Sequence, residues 1–343
     1  MEEKKRSSRN KTLILTDSER NAYRRELRYV SADSGDCGEG SREGARAQSG
    51  EGARNGEGAR DGSLFSAESL DGSLFCGDLF DVLPRLPAEF ADLLILDPPY
   101  NLDKTFDGMR FSATDHRQYS AYLESWFTPL LETLKPNGSL YLCGDWKSTG
   151  SLFLLLEKHA HILNRIIWQR EKGRGALRNW KNNCEDIWFA VKSPQAEYYF
   201  DAEAVKQKRR VIAPYRENGA PRDWTESDGG KYRLTSAGNF WDDITVPYWS
   251  MKENTPHPTQ KPEKLLAKLI LASCPPGGMV FDPFAGSGTT LTAAKKLGRR
   301  FCGIERSEEY CLFARKRLAL AESDRSIQGY RDGVFWERNS APQ

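Results

Sequence analysis

"LLILDPPYN", Leu93 to Asn101, is a run of aliphatic residues that ends in a carboxylate, two prolines and an aromatic ring. Such a run reads as an interior strand, apolar on both faces as in a parallel sheet. The prolines stop it abruptly, because neither donates to a ladder and each restricts the residue before it. Asp97 and Tyr100 are therefore expected on a stiff, irregular backbone at the carboxyl end of a strand. Open α/β sheets place their ligands at that edge. The competing reading is a plain strand-ending turn, since Asp-Pro is common in turns.

The same rhythm extends on both sides. Upstream, "SLFCGDLFDVLPRLP" gives a strand, a Gly-Asp turn and a short helix. Downstream, "YLESWFTPLLETLKPNGSLYLCGDW" gives an amphipathic helix, a Pro-Asn-Gly turn and a strand. "LFLLLEKHA" follows as a helix, then "NRIIWQR" and "CEDIWFAVKS" as strands. Further on, "KPEKLLAKLILASC" reads as a helix and "MVFDPFAGSGTTLTAAKKLG" as a strand, a glycine-rich turn and a helix. "RFCGIE" and "RSEEYCLFARKRLALAE" close the series as strand and helix. The alternation predicts an α/β fold with a doubly wound, mainly parallel sheet.

Six zones result. Residues 1–30 hold a short helix, where Thr16 and Glu19 have capping-box spacing. Residues 31–73 are Gly, Ser and charge, with "EGAR" three times and "DGSLF" twice. That composition cannot offset its ordering entropy, so a disordered spacer is expected. Residues 74–200 carry the "DPPY" half. Residues 201–252 break the rhythm and form an insertion rich in Lys, Arg, Asp, Tyr and Trp. Residues 253–322 carry the glycine-loop half, and 323–343 read as a loosely attached tail.

The formal charge of +2 over 343 residues excludes a polycation, so any nucleic-acid contact must come from local clusters of Lys and Arg. The seven cysteines show neither a C-x-x-C pair nor a His partner at zinc spacing. A structural zinc and a disulfide framework are thus not expected, nor is any other metal. No secretory signal and no stretch of bilayer-spanning length is visible, which makes the cytoplasm the expected compartment and a membrane an unexpected partner.

In the glycine-rich turn, Gly286 and Gly288 let backbone amides approach a ligand, and Thr289 and Thr290 open a helix whose positive end favours electron-rich groups. A P-loop would need Gly-Lys-Ser/Thr, and Gly288 is followed by Thr-Thr. A dinucleotide fingerprint would need a third glycine where Leu291 stands. The next strand ends in Glu305, placed to accept two hydrogen bonds from a ribose diol. The ligand implied is a nucleoside without a pyrophosphate.

Taken together, "DPPYN", "FDPFAGSGTT", "GIERSEEY" and "HPTQKP" at 257–262 resemble the S-adenosylmethionine-dependent amino-methyltransferases of DNA, which modify N6 of adenine or N4 of cytosine. "DPPY" precedes "FAGSG" with a variable basic segment between, an order similar to the β group of these enzymes. The resemblance spans about residues 74–320 and implies a Rossmann-like methyltransferase fold with circularly permuted motif order and an inserted target-recognition region. It also implies S-adenosylmethionine as cofactor. Phe281, Asp282, Phe284, Gly286, Gly288 and Thr289 would line its methionine side, with Glu305 at the ribose and Asp78 at the adenine amine. Lys261 would meet the methionine carboxylate.

The chemistry fits the opening motif. An exocyclic base amine is a poor nucleophile, because its lone pair is delocalised into the ring. Asp97 can accept one N–H and the Pro98 carbonyl the other, while the nitrogens of Pro98 and Pro99 offer no competing donor. Such fixed acceptors stabilise charge developing on nitrogen, and Tyr100 offers a face for stacking. A paired base cannot reach such a pocket, so base flipping in double-stranded DNA is implied.

Arg209, Arg210, Arg216 and Arg222 of the insertion are candidates for reading DNA. A solvated loop is the alternative, since acidic residues there roughly match the basic ones. Arg174, Arg178 and Lys181 lie in "REKGRGALRNWKNN", suited to clamping phosphates. The expected enzyme is a sequence-specific adenine-N6 methyltransferase of a restriction–modification system, with a cognate endonuclease encoded nearby. Monomer and homodimer both remain open. Cytosine N4 is the alternative, because those enzymes more often carry Ser where Asp97 stands. Methylation of RNA or of a protein glutamine, or a silent DNA-binding relative, fits less well. A cytosine-C5 enzyme would need a nucleophilic Pro-Cys, and neither Cys274 nor Cys76 matches.

Overall fold

The computed structural model describes residues 8–30, 64–101, 104–106, 109–111, 114–170, 178–227 and 230–337. Its centre is a nine-stranded sheet. The strands are β1 (Arg28–Tyr29), β2 (Ser73–Cys76), β3 (Ala91–Leu96), β4 (Leu134–Gly144) and β5 (His161–Gln169). β6 (Cys184–Val191), β7 (Phe240–Trp241), β8 (Met279–Asp282) and β9 (Arg300–Glu305) complete it. The spatial order is β1-β2-β9-β8-β3-β4-β6-β5-β7. Neighbours are parallel except where β6 pairs with β4 and β5. The antiparallel β6 therefore begins at the edge where the parallel strands end.

The apolar run at 93–96 behaves as its pattern requires. Leu93 and Ile95 join one core with α5 (Glu263–Ser273), α6 (Thr289–Lys296) and α7 (Glu308–Ser323). Leu94 and Leu96 join a second core, on the opposite face, with α2 (Leu79–Val82), α3 (His116–Thr133) and α4 (Thr149–His159). Both faces of β3 are covered, so alternation between polar and apolar residues is absent.

The N-terminal segment belongs to the body of the protein. α1 (Asp17–Arg24) starts with the capping box expected from Thr16 and Glu19. It docks on α7 through Lys316 to Glu19 at 2.7 Å and Arg24 to Glu308 at 2.7 Å. β1 then pairs with β2 at the sheet edge. Most of the expected spacer, residues 31–63, lies outside the described residues. Its end does not behave as a spacer. Leu70 is fully buried, and Phe65 of the first "DGSLF" packs on Phe75 of the second with ring centroids 5.1 Å apart. An aromatic and a leucine suffice to fold this stretch back on the core, so the ordered body starts before residue 74.

Two other expectations change. The Pro-Asn-Gly turn before β4 is a bulge within the strand: Leu134 pairs with Ala91 and Ser139 with Leu93, leaving 135–138 looped out. The tail is not loosely attached. Residues 330–331 and 334–336 pair into a second, five-stranded sheet with 207–210, 225–227 and 230–235 of the insertion. Phe335 and Trp336 are buried there, and burial of two aromatic side chains favours holding the segment on the body.

This second sheet covers the outer side of α5, where Val205, Ala267, Leu271 and Phe335 share a small core. α5 is consequently buried along its whole length, its lysines included. Lys264 donates to Asp243 at 2.5 Å and to the Trp336 carbonyl at 2.6 Å, and Lys268 reaches Asp243 at 3.2 Å. Burial pulls the Lys268 ammonium down to about 8 against the opposing charge of Asp243. Among the described residues, no helix is long and apolar enough to cross a membrane.

Candidate active site

A cavity of about 310 Å³ opens at the carboxyl ends of β2, β3, β8 and β9. Asp97, Pro98, Pro99 and Tyr100 form part of its wall, and Asp282, Phe284, Gly286, Thr289, Glu305 and Asp78 form another part. The two motif sets, far apart in sequence, thus face one space. This follows from the strand order, which puts β8 beside β3.

On the first side, the Tyr119 hydroxyl donates to the Pro99 carbonyl at 3.3 Å and helps fix the turn. Tyr100 donates to Asp97 Oδ1 at 2.9 Å. Lys261 Nζ lies 2.7 Å from Asp97 Oδ1, 2.6 Å from Oδ2 and 3.0 Å from the Tyr100 oxygen. Lys261, expected at a methionine carboxylate, lines the cavity and pairs its ammonium with Asp97. The segment before it is tied down by Gln260, which accepts from Thr255 N–H at 2.9 Å and donates to the Glu253 carbonyl at 2.7 Å.

Sequence reasoning missed two members of this group. Glu185, at the start of β6, approaches Lys261 at 3.5 Å and accepts from Tyr100 at 3.3 Å. Its other oxygen accepts from Arg170. The available signal was an acidic pair, Glu185 and Asp186, leading an otherwise apolar strand, which marks the active edge only once β6 is known to run antiparallel. Burial lowers the Lys261 value while Asp97 and Glu185 raise it, and the net effect is upward, so the ammonium persists. Burial, with the Asp97 and Glu185 charges, holds the Tyr100 hydroxyl well above its usual value. Both are donors at neutral pH rather than bases.

On the second side, Glu305 accepts from Gly286 N–H at 2.8 Å and from Ser307 N–H at 2.7 Å. With these bonds fixing it, the Glu305 carboxylate lines the cavity. Gly286 has φ +53°, and an added Cβ would sit 3.1 Å from His257 Nε2. The cradle therefore needs glycine. Asp282 is almost fully buried and accepts from Phe284 N–H at 2.9 Å. Burial pushes its carboxyl up to about 7, a group short of a positive partner. Asp78 caps α2 through Phe80 N–H at 3.0 Å and faces Arg306 at 3.5 Å. Three carboxylates around one cavity, one of them buried, are what the ribose, the adenine amine and the cationic end of S-adenosylmethionine would need.

Two expected cofactor residues are placed elsewhere. Phe281 points into the core against Phe90, with ring centroids 5.1 Å apart, because alternation along β8 turns it from the cavity. Gly288 is absent from the wall. Its φ of +74° starts α6, and a Cβ there would meet Ala314 Cβ at 2.5 Å, so it serves packing against α7.

Of the DNA candidates, Arg174 lies outside the described residues. Arg178 and Lys181 are exposed in the connection from β5 to β6, beside an almost wholly exposed Trp180. Arg209 and Arg210 sit on strand 207–210. Arg216 and Arg222 are on an exposed hairpin, where Arg216 lies over Trp224 at 5.3 Å and Arg222 near Glu217 at 3.7 Å.

A mainly parallel sheet brings a glycine-rich turn and the Asp97–Tyr100 turn to one cavity at adjacent strand ends, an arrangement suited to group transfer. The family model for DNA methylases matches residues 91–316. The chain is 35% identical over 251 residues to the DNA adenine methyltransferase YhdJ of Escherichia coli (strain K12), covering 71% of this chain and 82% of that protein. It is 31% identical over 254 residues to the type II methyltransferase M.HpaI of Haemophilus parainfluenzae, covering 73% and 74%. Among solved structures, the cytosine-N4-specific PvuII DNA methyltransferase aligns with a TM-score of 0.55 at 17% identity, over 72% of this chain and 86% of that one. That last likeness shows the fold alone. The chain belongs to the N6/N4 DNA methylase family, and the S-adenosylmethionine-dependent DNA methylation expected from its motifs stands.

Proposed function

We propose that this chain methylates the exocyclic N6 of adenine in a base flipped out of double-stranded DNA. The observation that carries this is the shared cavity, where Asp97–Tyr100 face the Gly286–Glu305 cradle. S-adenosylmethionine, when bound, supplies the electrophilic methyl group. Glu305, Asp78 and Asp282 hold it, and Gly286 gives it room. Asp97 and the Pro98 carbonyl accept the two N–H bonds of the target amine and localise its lone pair. Holding both reactants in one cavity supplies much of the remaining acceleration. Lys261 and Tyr100 stay protonated, so the proton lost after transfer leaves through Asp97, which keeps some contact with solvent.

Asp97 and the adenine activity named for the Escherichia coli relative favour adenine over cytosine. The type II naming of the Haemophilus relative favours a restriction–modification system with a cognate endonuclease, and the cytoplasm is where such an enzyme would act. Residues 201–252 read the target, and Arg174, Arg178 and Lys181 hold phosphates. The functional unit is a monomer or a homodimer. Single-molecule sequencing of DNA from a methylation-free host expressing the chain tests the reading, with Asp97→Ala as the blank. N6-methyladenine confined to one short motif is expected. N4-methylcytosine overturns the base assignment, and unmodified DNA overturns the reaction.

A further inference from the structure

Asp97 meets more donors than a waiting acceptor should. Both its oxygens face Lys261, and Oδ1 also accepts from Tyr100. A carboxylate oxygen has two lone-pair sites, so Oδ1 is filled and Oδ2 keeps one for a substrate N–H. The Lys261 ammonium poses a second problem. It sits against the carboxylate that must stabilise positive charge growing on the target nitrogen, and two like charges on one acceptor oppose each other.

Glu185 answers both difficulties. Tyr100 has a single hydroxyl hydrogen and two carboxylates to give it to, Asp97 at 2.9 Å and Glu185 at 3.3 Å. Lys261 likewise lies between the two, 2.6 Å from one and 3.5 Å from the other. The Glu185 side chain is only 4% exposed, and Arg170 anchors its far oxygen. With Arg170 and Lys261 against Glu185 and Asp97, the charges of the group cancel.

We propose that Glu185 is a positioning residue, which takes over the Tyr100 hydroxyl and the Lys261 ammonium as Asp97 turns to the target amine. A small rotation of the hydroxyl and a shift of the ammonium open Oδ1 without leaving either group unpaired in a buried site. No proton changes owner in this step. The inference rests on the methyl-transfer reading above and adds a residue that acts through Tyr100 and Lys261 rather than on the substrate.

The test is steady-state and single-turnover kinetics on duplex DNA with Glu185→Gln and Glu185→Asp. Gln keeps an acceptor but removes the charge. Asp keeps the charge for Arg170 but withdraws the acceptor from Tyr100. Each is expected to lower kcat by about 10- to 100-fold, with KM for DNA and for S-adenosylmethionine within about threefold of wild type. Combined with Tyr100→Phe, the Glu185→Asp loss should be strongly non-additive, since both act through one hydroxyl. Full kcat in both variants, a loss confined to KM, or losses that multiply would overturn the proposal. Wild-type transfer to adenine on the same DNA checks the functional reading separately. A wild type that methylates cytosine N4 overturns only the base assignment, because Asp97 meets that amine in the same way. A wild type inactive on both bases overturns both readings.

Discussion

Asp282 makes cofactor binding depend on pH in a calculable way. Burial holds its carboxyl at about 7 in the ligand-free cavity. The cationic methionine end of the cofactor needs the ionised form, so protonation competes with binding. Once the cation is in place, the carboxyl falls back toward its ordinary range. Affinity is then expected to drop about 15-fold between pH 7.0 and 5.5, and binding at pH 6 to release about 0.9 proton. Stability of the ligand-free protein should move the other way. A carboxyl raised on folding binds more protons in the native state, so its contribution rises as pH falls from 7 toward 4. Titration calorimetry in two buffers of different ionisation enthalpy reads affinity and proton release together. Glu253 is also pushed up to about 7, chiefly by burial, but it is absent from the cavity wall. Asp282→Asn is therefore the control, and it should flatten the pH slope. An affinity constant across this range, or a slope that survives Asp282→Asn, refutes the reasoning.

Two further outcomes are expected. Gly288→Ala forces a Cβ to within 2.5 Å of Ala314 at a φ of +74°. It should cost about 1–3 kcal/mol, seen as a lowered thermal midpoint, and S-adenosylmethionine should still bind if the loop recovers its path. Replacing Arg178 and Lys181 with Ala should weaken binding of all duplexes alike, and flatten the salt dependence by about one unit per lost phosphate contact, measured by anisotropy at several salt concentrations. A change in the preferred sequence would instead assign these residues to base reading.

Much of the sheet was legible because its strands carry their own signals. "LLIL", "SLFC", "MVFD" and "RFCGIE" are apolar runs bounded by turn residues, and each forms a strand. The wall of the site followed from the same reading, since Asp97, Asp282 and Glu305 stand at or just beyond strand ends. Contacts between distant segments were harder to see. Glu185 enters the site through the direction of β6, which no local pattern sets. Lys261 meets Asp97 across 164 positions of chain, a contact that no local pattern announces. Phe281 looked like part of the binding motif, yet strand alternation sends it into the core. The tail was misread because "GVFW" has too little length to announce a strand. Its partners lie far back in the chain, at 207–210.

That last pairing bears on how the protein is made. The strand carrying Arg209 and Arg210 cannot complete its sheet until residue 336 has been synthesised. Contacts of such separation form late, because the intervening chain must close first. Meanwhile the outer side of α5, with Ala267 and Leu271, lacks the Phe335 that covers it in the finished fold. Chains that end before that point would hold both halves of the cavity without the completed insertion sheet.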